Sequence, residues 1–584
     1  MDGSDDILEY YRREMAYLRA QGQDFADRHP KVAQRLVLSG EESADPHTER
    51  LIESVAFLGA RVHRELDREF PRIASAVLDN VCPTLAQPVP SISIVQMILD
   101  EAQGKVTSGL PIAKGAMLQA TTADGQLCRF QTAWDTTLWP LTVSGARLVD
   151  SRNLRLVFDA VPGTDVSEIE VDTLRFHLAG DLMATMPLHE MLVSALVDVV
   201  IEADGRDHHL GPAALREFGF DEGQEVLPVP AHAHPAYSLL REYFVFPRKF
   251  QFFELGGLRH RLGSGAGFAV RLVFAYAAKS LSAVDAETFR LGCVPVVNLF
   301  HATTEPIVMD RRQTEYRLVA DRQREASTEI HSILAVIASD PLAERPESIP
   351  NIHAANDTGA GGGGLYWTSR REAHTKRDIT GTETFLSFVD RADVRQVPEQ
   401  PVIYAEVLCT NRGLGEQLPR GARLTGVGLS ESLVIRSLYE PSAQRDPVMA
   451  SSALWTLASL LRLNHSSLVD GPAGVTRLRE MLQLFAGDSP RDQSQIRGLV
   501  SVRSRPATAR IGNAAWRGHC RGTEVTLEFD PAEFAGSSPL LMAAVLARFL
   551  ALYTTVNSFV RLCVERNGEP WMRWPPLSGR QCVI

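Results

Sequence analysis

The first ninety residues of the chain carry two apolar stripes at helical spacing, and these stripes limit how this region can fold. The first stripe repeats every three or four residues and predicts an amphipathic helix that stops at His29-Pro30, because proline disfavours helical backbone at the residue before it. A second helix is predicted to begin at Asp45-Pro46, with the aspartate as N-cap and the proline at the first helical position. The apolar residues of the two stripes are Ile7, Tyr11, Met15, Leu18 and Phe25, and then Leu51, Val55, Leu58, Val62, Leu66 and Phe70.

Two long amphipathic helices without a larger local core have to cover their apolar faces somewhere. They can pack on each other as an intramolecular hairpin, or they can contribute their faces to a bundle with another chain. The spacing is the same in both cases, so the sequence leaves both alternatives open. If a partner completes the bundle, the predicted partner-binding residues are Tyr11, Leu18, Leu51, Leu58 and Val62.

Charge and composition narrow the class of partner. The 584 residues carry 60 Lys and Arg against 71 Asp and Glu, a formal net charge of −11. Nucleic acids and anionic membranes are bound by concentrated basic surfaces, so we expect no nucleic-acid partner and no direct membrane insertion. The start of the chain is acidic and lacks the pattern of a secretory signal, and Arg548 interrupts the apolar run at 540–556. The seven cysteines are scattered, which favours a cytoplasmic protein with reduced thiols.

Beyond the helical region the pattern changes to strands, helices and turns, which predicts a multidomain α+β fold. Alternating apolar residues predict a strand from Glu524 to Asp530, and Ser538 is the predicted N-cap of an apolar helix that begins at Pro539. A further helix is predicted at 475–485. The predicted divisions are an amphipathic helical region at 1–87, a mixed α/β domain at 88–255, a β-rich segment at 256–350 that could continue the preceding domain, a flexible glycine-rich loop at 351–365, and an α+β domain at 366–584.

Motifs that would indicate catalysis are missing or stand in the wrong context. Gly359, Gly361 and Gly364 satisfy G-x-G-x-x-G, but no buried strand is predicted before them and no helix after them. The sequence contains no P-loop and no nucleophile elbow. His232 and His234 could bind a metal ion only with further ligands, and the sequence offers none. We therefore predict no catalytic, cofactor-binding or metal-binding residue, and a metal-dependent enzyme that uses this histidine loop is the weaker alternative.

A second candidate binding surface lies beside the glycine-rich loop. Aromatic and arginine side chains are enriched in binding hot spots. An edge strand of the domain's own sheet explains the same segment equally well, so both interpretations stay open. The residues concerned are Tyr366, Trp367, Arg370 and Arg371.

Short motifs are spread along the chain from residue 10 to residue 559. They are YYRREMAYLR at 10–19, DPH at 45–47, FLGARV at 57–62, FPRKF at 246–250, CVPVVNLF at 293–300, TNR at 410–412, LNH at 463–465, RFLALY at 548–553 and VNSF at 556–559. No single motif is diagnostic, but together and in this order they resemble the TssF (ImpG/VasA) family of type VI secretion system proteins over essentially the whole chain. The glycine loop at 359–364 departs from the family pattern as a local insertion.

The resemblance implies a structural subunit of the baseplate wedge, which supports tube and sheath assembly. It implies assembly with TssG and TssK around the spike hub protein, with a second TssF copy in the same wedge and the sheath docked above. It implies no cofactor and no reaction, in a cytoplasmic protein recruited to the baseplate at the inner membrane. The alternative within the same architecture is a wedge protein of a phage-derived contractile particle.

Overall fold

The computed structural model of the chain describes residues 3–29, 31, 47, 49–64, 82–99, 107–230, 233, 235–277, 284–310, 312–339, 346–352, 365–376, 378–389, 398, 402–430, 432–447, 473–487, 489–510, 519–566 and 568–579. The histidine pair at 232 and 234, most of the predicted glycine loop and the motif at 463–465 lie outside these residues. The chain divides into two compact units, Met1–Asp79 with Val448–Ser459 and Asn80–Pro447 with Leu460–Ile584.

The described part of the first unit is helical. Helix α1 spans Gly3–Arg28 and ends before His29-Pro30, which confirms the predicted stop. Arg28, in the last turn, pairs with Asp24 at 2.8 Å, and a cation there also complements the negative end of the helix. A second helical run covers residues 49–64.

The second unit contains the strands, and a closed six-stranded barrel organises its first part. The elements up to residue 297 are, in chain order, β1 (Ile92–Leu99), β2 (Leu110–Ile112), β3 (Met117–Thr121), β4 (Leu127–Thr132), β5 (Thr136–Leu138), β6 (Leu141–Asp150), β7 (Asn153–Ala160), β8 (Leu174–Leu178), α2 (Leu182–Ser194), β9 (Leu196–Ala203), β10 (Arg206–His209), β11 (Leu215–Phe218), α3 (Pro235–Val245), β12 (Phe252–Leu255), β13 (Gly267–Phe274), β14 (Phe289–Leu291) and β15 (Cys293–Val297). Two later strands, β24 (Arg423–Gly426) and β25 (Leu433–Ser437), complete the barrel in the order β1-β15-β4-β3-β24-β25.

Strand β1 closes the barrel because it pairs with distant strands on both of its edges. Ile94 lies opposite Pro295 of β15, and Met97 lies opposite Ile435 of β25. At Gly292, just before β15, a Cβ atom would lie 2.3 Å from the carbonyl oxygen of Met97, so only glycine allows this approach. Strand pairing therefore crosses the predicted divisions at 255/256 and at 351–365.

Two further sheets, whose strands lie between β4 and β15 in the sequence, form a sandwich. The five-stranded sheet has the order β10-β9-β13-β7-β6, and the four-stranded sheet has the order β11-β12-β8-β14. Both sheets contribute to one apolar core. Stacked rings in this core include Phe158 with Phe268, at a centroid distance of 5.0 Å, and Phe176 with Phe253, at 6.0 Å.

A second β module lies between β15 and β24 in the sequence. Its strands are β16 (Phe300–Thr303), β17 (Ile307–Val308), β18 (Tyr316–Leu318), β19 (Glu329–Ser339), β20 (Glu347–Ile349), β21 (Tyr366–Ala373), β22 (Thr382–Val389) and β23 (Val402–Thr410). One sheet has the order β16-β23-β19-β20, with β17 also paired to β23, and the other has the order β18-β22-β21. At the junction with the barrel, Asn298 and Asn411 bond each other: the backbone N–H of Asn411 donates to Asn298 Oδ1 at 2.7 Å.

The C-terminal module places helices against a five-stranded sheet. Its elements are α4 (Gly474–Phe485), α5 (Pro490–Arg497), β26 (Leu499–Arg510), β27 (His519–Phe529), α6 (Pro539–Leu552), β28 (Phe559–Arg566), β29 (Glu569–Arg573) and β30 (Leu577–Ser578). The sheet order is β26-β27-β28-β29, with β30 also paired to β28. Ser538 accepts from the backbone N–H of Leu540 at 3.1 Å, which confirms the predicted N-cap of α6. The predicted strand at 524–530, the helix at 475–485 and the multidomain α+β class are likewise confirmed.

A buried ion pair fixes α3 to its surroundings in the second unit. Glu242 of α3 and Lys249 of the following 3₁₀ turn (Pro247–Gln251) both have side chains that are 1% exposed, and the Lys249 ammonium donates to Glu242 Oε2. Glu242 Oε1 accepts from the backbone N–H of Val226 at 2.7 Å and of Leu227 at 2.8 Å. The pair thus ties the helix to the loop at 226–227 and to the FPRKF motif.

We expect Lys249→Met to destabilise the second unit by about 3–5 kcal/mol, because the Glu242 carboxylate stays buried without its cation. The double variant E242Q/K249M removes both charges and should recover part of that loss. The measurement is the urea midpoint of unfolding by circular dichroism. An unchanged midpoint for K249M would contradict this role of the pair.

Candidate partner-binding surfaces

The two helical stretches of the first unit pack against each other as an antiparallel hairpin. Near the middle of α1, Glu14 Oε1 lies 2.5 Å from Nδ1 of His63. Further along α1, Arg19 Nη2 donates to Glu49 Oε1 at 2.7 Å. Because the partner numbers fall as the α1 numbers rise, the two helices run in opposite directions.

The contact between these helices is narrow and made of small side chains. Ala56 and Ala60 are fully buried, and Met15 of α1 is 8% exposed. A Cβ atom on Gly59 would lie 3.2 Å from Glu14 Oε2, so glycine gives α1 the room to approach. Small residues allow close approach but bury little apolar area. The hairpin therefore covers only part of the apolar surface of its helices.

The predicted stripe on residues 49–64 stays exposed. Leu51, Leu58 and Val62 are 66%, 58% and 57% exposed, and Val55 between them is 48% exposed. Their steps of four, three and four residues place them along one side of the helix. We call these four residues the apolar stripe. The hairpin forms without them, so the two alternatives from the sequence are compatible: one face of the helix packs internally and another face stays open.

The predicted partner-binding residues on α1 are less exposed to solvent than those on the second helix. Tyr11 and Leu18 are half-buried, on the same side as the buried Met15. Tyr17 is 59% exposed and was missed, because it falls outside the apolar spacing that the prediction used. Among the described residues of α1, Leu8 and Phe25 are also exposed. An open apolar surface therefore extends over parts of both helices.

The second candidate surface, on β21, is largely occupied by its own module. Trp367 is 6% exposed and belongs to the core of that module. Arg370 donates to Glu315 at 2.6 Å, and its guanidinium lies 4.9 Å from the ring centroid of Phe385. Tyr366 is half-buried. β21 is an edge strand of the three-stranded sheet, as the alternative interpretation states.

Arg371 is held by backbone oxygens of β19, a strand of the other sheet of this module. Its Nη1 donates to the carbonyl of Ile330 and its Nη2 to the carbonyl of His331, both at 2.8 Å. Nη1 also donates to Thr382 Oγ1 at 2.8 Å. These contacts explain the arginine structurally, and partner binding at 366–371 stays a prediction that they do not support.

A buried network of charged side chains connects β19, β22 and the TNR motif. The Glu329 side chain is fully buried, and its carboxylate accepts from the backbone N–H of Thr382 at 2.8 Å and from Gln444 Nε2 at 2.7 Å. Arg412 Nη1 lies 3.4 Å from the same carboxylate. Burial lowers the pKa of Arg412 and raises the pKa of Asp446, which also faces Glu329. The network joins three segments that are far apart in sequence.

One group in this network, within the described part of the chain, has the spacing of metal ligands: Glu325, His374 and Glu383. However, Arg317 Nη2 lies 2.8 Å from Glu383 Oε1 and also contacts Glu325, and Lys376 Nζ lies 2.7 Å from Glu325 Oε2. Both carboxylates are thus already paired with cations, and a metal ion would have to displace a guanidinium. The arrangement fits an ion-pair network and not a metal centre.

This network makes a pH-dependent contribution to stability. Hydrogen bonds from Lys376 and then Arg317 lower the pKa of Glu325 from 4.5 to about 2. Because the folded-state pKa is the lower one, the stabilisation is complete above a pH of about 4.5 and is lost as the pH falls towards about 2. We expect E325Q to be less stable than the native chain at neutral pH, and the difference to shrink through this window.

Urea midpoints measured at decreasing pH test this prediction. Glu305→Gln is the control, because Glu305 pairs with the exposed Arg322 outside the network. A difference between E325Q and the native chain that stays constant from neutral pH down to about 2 would contradict the assignment.

The comparison with known proteins decides the family. The family model described as type VI secretion system, TssF, matches residues 3–581. The type VI secretion system component TssF1 of Pseudomonas aeruginosa is 34% identical, over 98% of this chain and 98% of that protein. The chain belongs to the TssF family. Membership confirms the resemblance drawn from the scattered motifs, and it favours a secretion system over a phage-derived particle.

Solved structures share the fold of this TssF chain. One is a chain of the TssK-TssF-TssG baseplate subcomplex determined by cryo-electron microscopy, with a TM-score of 0.73, 22% identity, and coverage of 91% of this chain and 100% of that one. Another is a chain of the baseplate complex from the type VI secretion system, with a TM-score of 0.54, 21% identity, and coverage of 99% and 100%. None of the helices in the described residues is long and apolar enough to cross a membrane.

Proposed function

We propose that this TssF chain is a structural subunit of the baseplate wedge and that its apolar stripe binds helices of TssG. Family membership supports the role, and the two solved structures with the same fold are baseplate complexes, one of them containing TssK and TssG. The observation that carries the proposal is the exposure of Leu51, Val55, Leu58 and Val62 on a helix whose other face is already packed.

The energetics favour an occupied stripe. Fully burying an aliphatic side chain contributes about 1.5–3 kcal/mol, so covering four residues that are roughly half exposed contributes on the order of 3–6 kcal/mol. Apolar residues spaced by four, three and four positions form the kind of face that packs against another helix. A helical partner would extend the hairpin into a bundle, since each added helix covers a stripe of this width.

The remaining partners follow from the family resemblance. TssK, a second TssF copy, the spike hub protein and the sheath are proposed neighbours of this chain in the wedge. The proposed location is cytoplasmic, at a baseplate docked on the inner membrane. A function without catalysis is supported by the ion pairs in the described part of the chain, where buried carboxylates are already bound by cationic side chains. Glu325 and Glu383 are paired with Arg317, and Glu242 is paired with Lys249.

Leu58→Asp tests the proposal most simply. Because Leu58 is 58% exposed in the chain alone, we expect the variant to keep the helix content and melting temperature of the native chain. Co-purification with co-expressed TssG should be lost, since the charge would be buried in the bundle. The matched control is V308D, which places the same charge at a valine that is 71% exposed in the second β module.

A second variant separates the open face from the packed face. Ala60→Asp puts a charge into the buried seam and should unfold the hairpin by itself, as seen in a loss of helical circular dichroism. If L58D instead lost helix content as A60D does, the stripe would belong to the chain's own core. If folded L58D still co-purified with TssG as V308D does, the proposed interface would be wrong.

A further inference from the structure

The C-terminal sheet has one apolar face and one charged face. Val525 and Leu527 of β27 and Val564 of β28 are buried, on the face that the helices cover. Side chains alternate along a strand, so Glu524, which directly precedes Val525, lies on the opposite face of the sheet. In the sheet, Glu524 has Arg505 opposite it on β26 and Arg561 opposite it on β28.

Three arginines of this face share one carboxylate. Glu524 accepts from Arg505 Nε at 2.7 Å and from Arg573 Nη2 at 2.5 Å, and Arg561 Nη1 lies 3.4 Å from it. The Glu524 side chain is 2% exposed, whereas those of Arg505 and Arg573 are 71% and 55% exposed. Three positive charges minus one negative charge leave a surplus of two on this patch. We call Arg505, Arg561, Arg573 and Glu524 the arginine patch.

The surplus of positive charge is confined to one part of this face of the sheet. Two residues along β26 from Arg505, Arg503 pairs with Glu565 at 2.5 Å, so this pair adds no net charge. Farther along the same face, Ser501 donates to Glu528 at 3.2 Å. Glu528 is four residues from Glu524, roughly 13 Å along an extended strand. That distance exceeds the Debye length of about 8 Å at physiological salt, so Glu528 compensates the arginine patch weakly. The face therefore has a positive end and an acidic end.

We infer that the arginine patch docks an acidic segment of a partner protein, whose carboxylates bind the exposed guanidinium groups. Like-charged guanidiniums held around one carboxylate repel each other, and further carboxylates would relieve that repulsion. Arginine also binds carboxylates through paired N–H donors, which gives the contact geometric specificity. A nucleic acid fits less well, because the whole chain carries a net charge of −11 and repels a long polyanion at a distance. The arginine patch lies in the second unit and shares no residue with the apolar stripe of the first unit.

The test uses the full chain and a fluorescein-labelled six-residue peptide of alternating Glu and Ser, with fluorescence anisotropy at about 50 mM salt, where screening is weak. The variant R505Q/R573Q keeps the Glu524–Arg561 pair. The matched control is R322Q/R324Q, which removes the same charge from arginines that are 78% and 59% exposed, each beside its own carboxylate. We expect R505Q/R573Q to weaken peptide binding about tenfold and the control to leave it within about twofold.

A variant with the opposite effect guards against misfolding as an explanation. Glu524→Gln raises the surplus from two to three and should tighten peptide binding, while thermal melts monitor the fold of each variant. No binding by the native chain, or equal losses in the two double variants, would overturn the inference. A single-stranded oligonucleotide of equal charge that bound more tightly than the peptide, and lost its binding in R505Q/R573Q, would also overturn it and assign the patch to nucleic acid.

Discussion

Closure of the barrel is the constraint on which the rest of the second unit depends. β1 has to pair with Cys293–Val297 on one edge and with Leu433–Ser437 on the other, so segments separated by about two hundred and three hundred and forty residues must meet. The sandwich and the second β module are inserted between barrel strands, and their ends are therefore fixed by the barrel. The reciprocal bonds of Asn298 and Asn411 lie where the second module leaves and rejoins it.

The family motifs now have a physical meaning. CVPVVNLF supplies β15 and Asn298, TNR supplies Asn411 and the buried Arg412, and FPRKF supplies the buried Lys249. Asn298, Asn411 and Arg412 are bound by partners far away in sequence, and Lys249 is bound by Glu242 seven residues earlier. A lost partner would leave a buried polar group unpaired. Such motifs supply buried polar contacts that hold the fold together, and this explains why they identify the family while indicating no chemistry.

The features that were predicted correctly from the sequence are those that local signals determine, such as helix ends and single strands. Pro30 stops α1, Ser538 caps α6, and alternation places β27. The predicted consecutive domains did not include the pairing of β1 with both β15 and β25. Periodic patterns identify strands, but they do not encode which distant strands pair. The same limit applies to the candidate sites. Spacing selected Leu51, Leu58 and Val62 but could not say whether they were open. The small residues Ala56, Gly59 and Ala60 were the missed signal that another face makes the hairpin contact.

We propose that one face of the helix at 49–64 builds the chain's own hairpin and that the apolar stripe binds TssG. Hydrogen–deuterium exchange of the chain alone and of its complex with co-expressed TssG tests this most directly. We expect peptides covering residues 49–64 to exchange more slowly in the complex, and peptides from barrel strands β1 and β15 to exchange at unchanged rates. A stable complex in which the 49–64 peptides exchange as fast as in the free chain would contradict it.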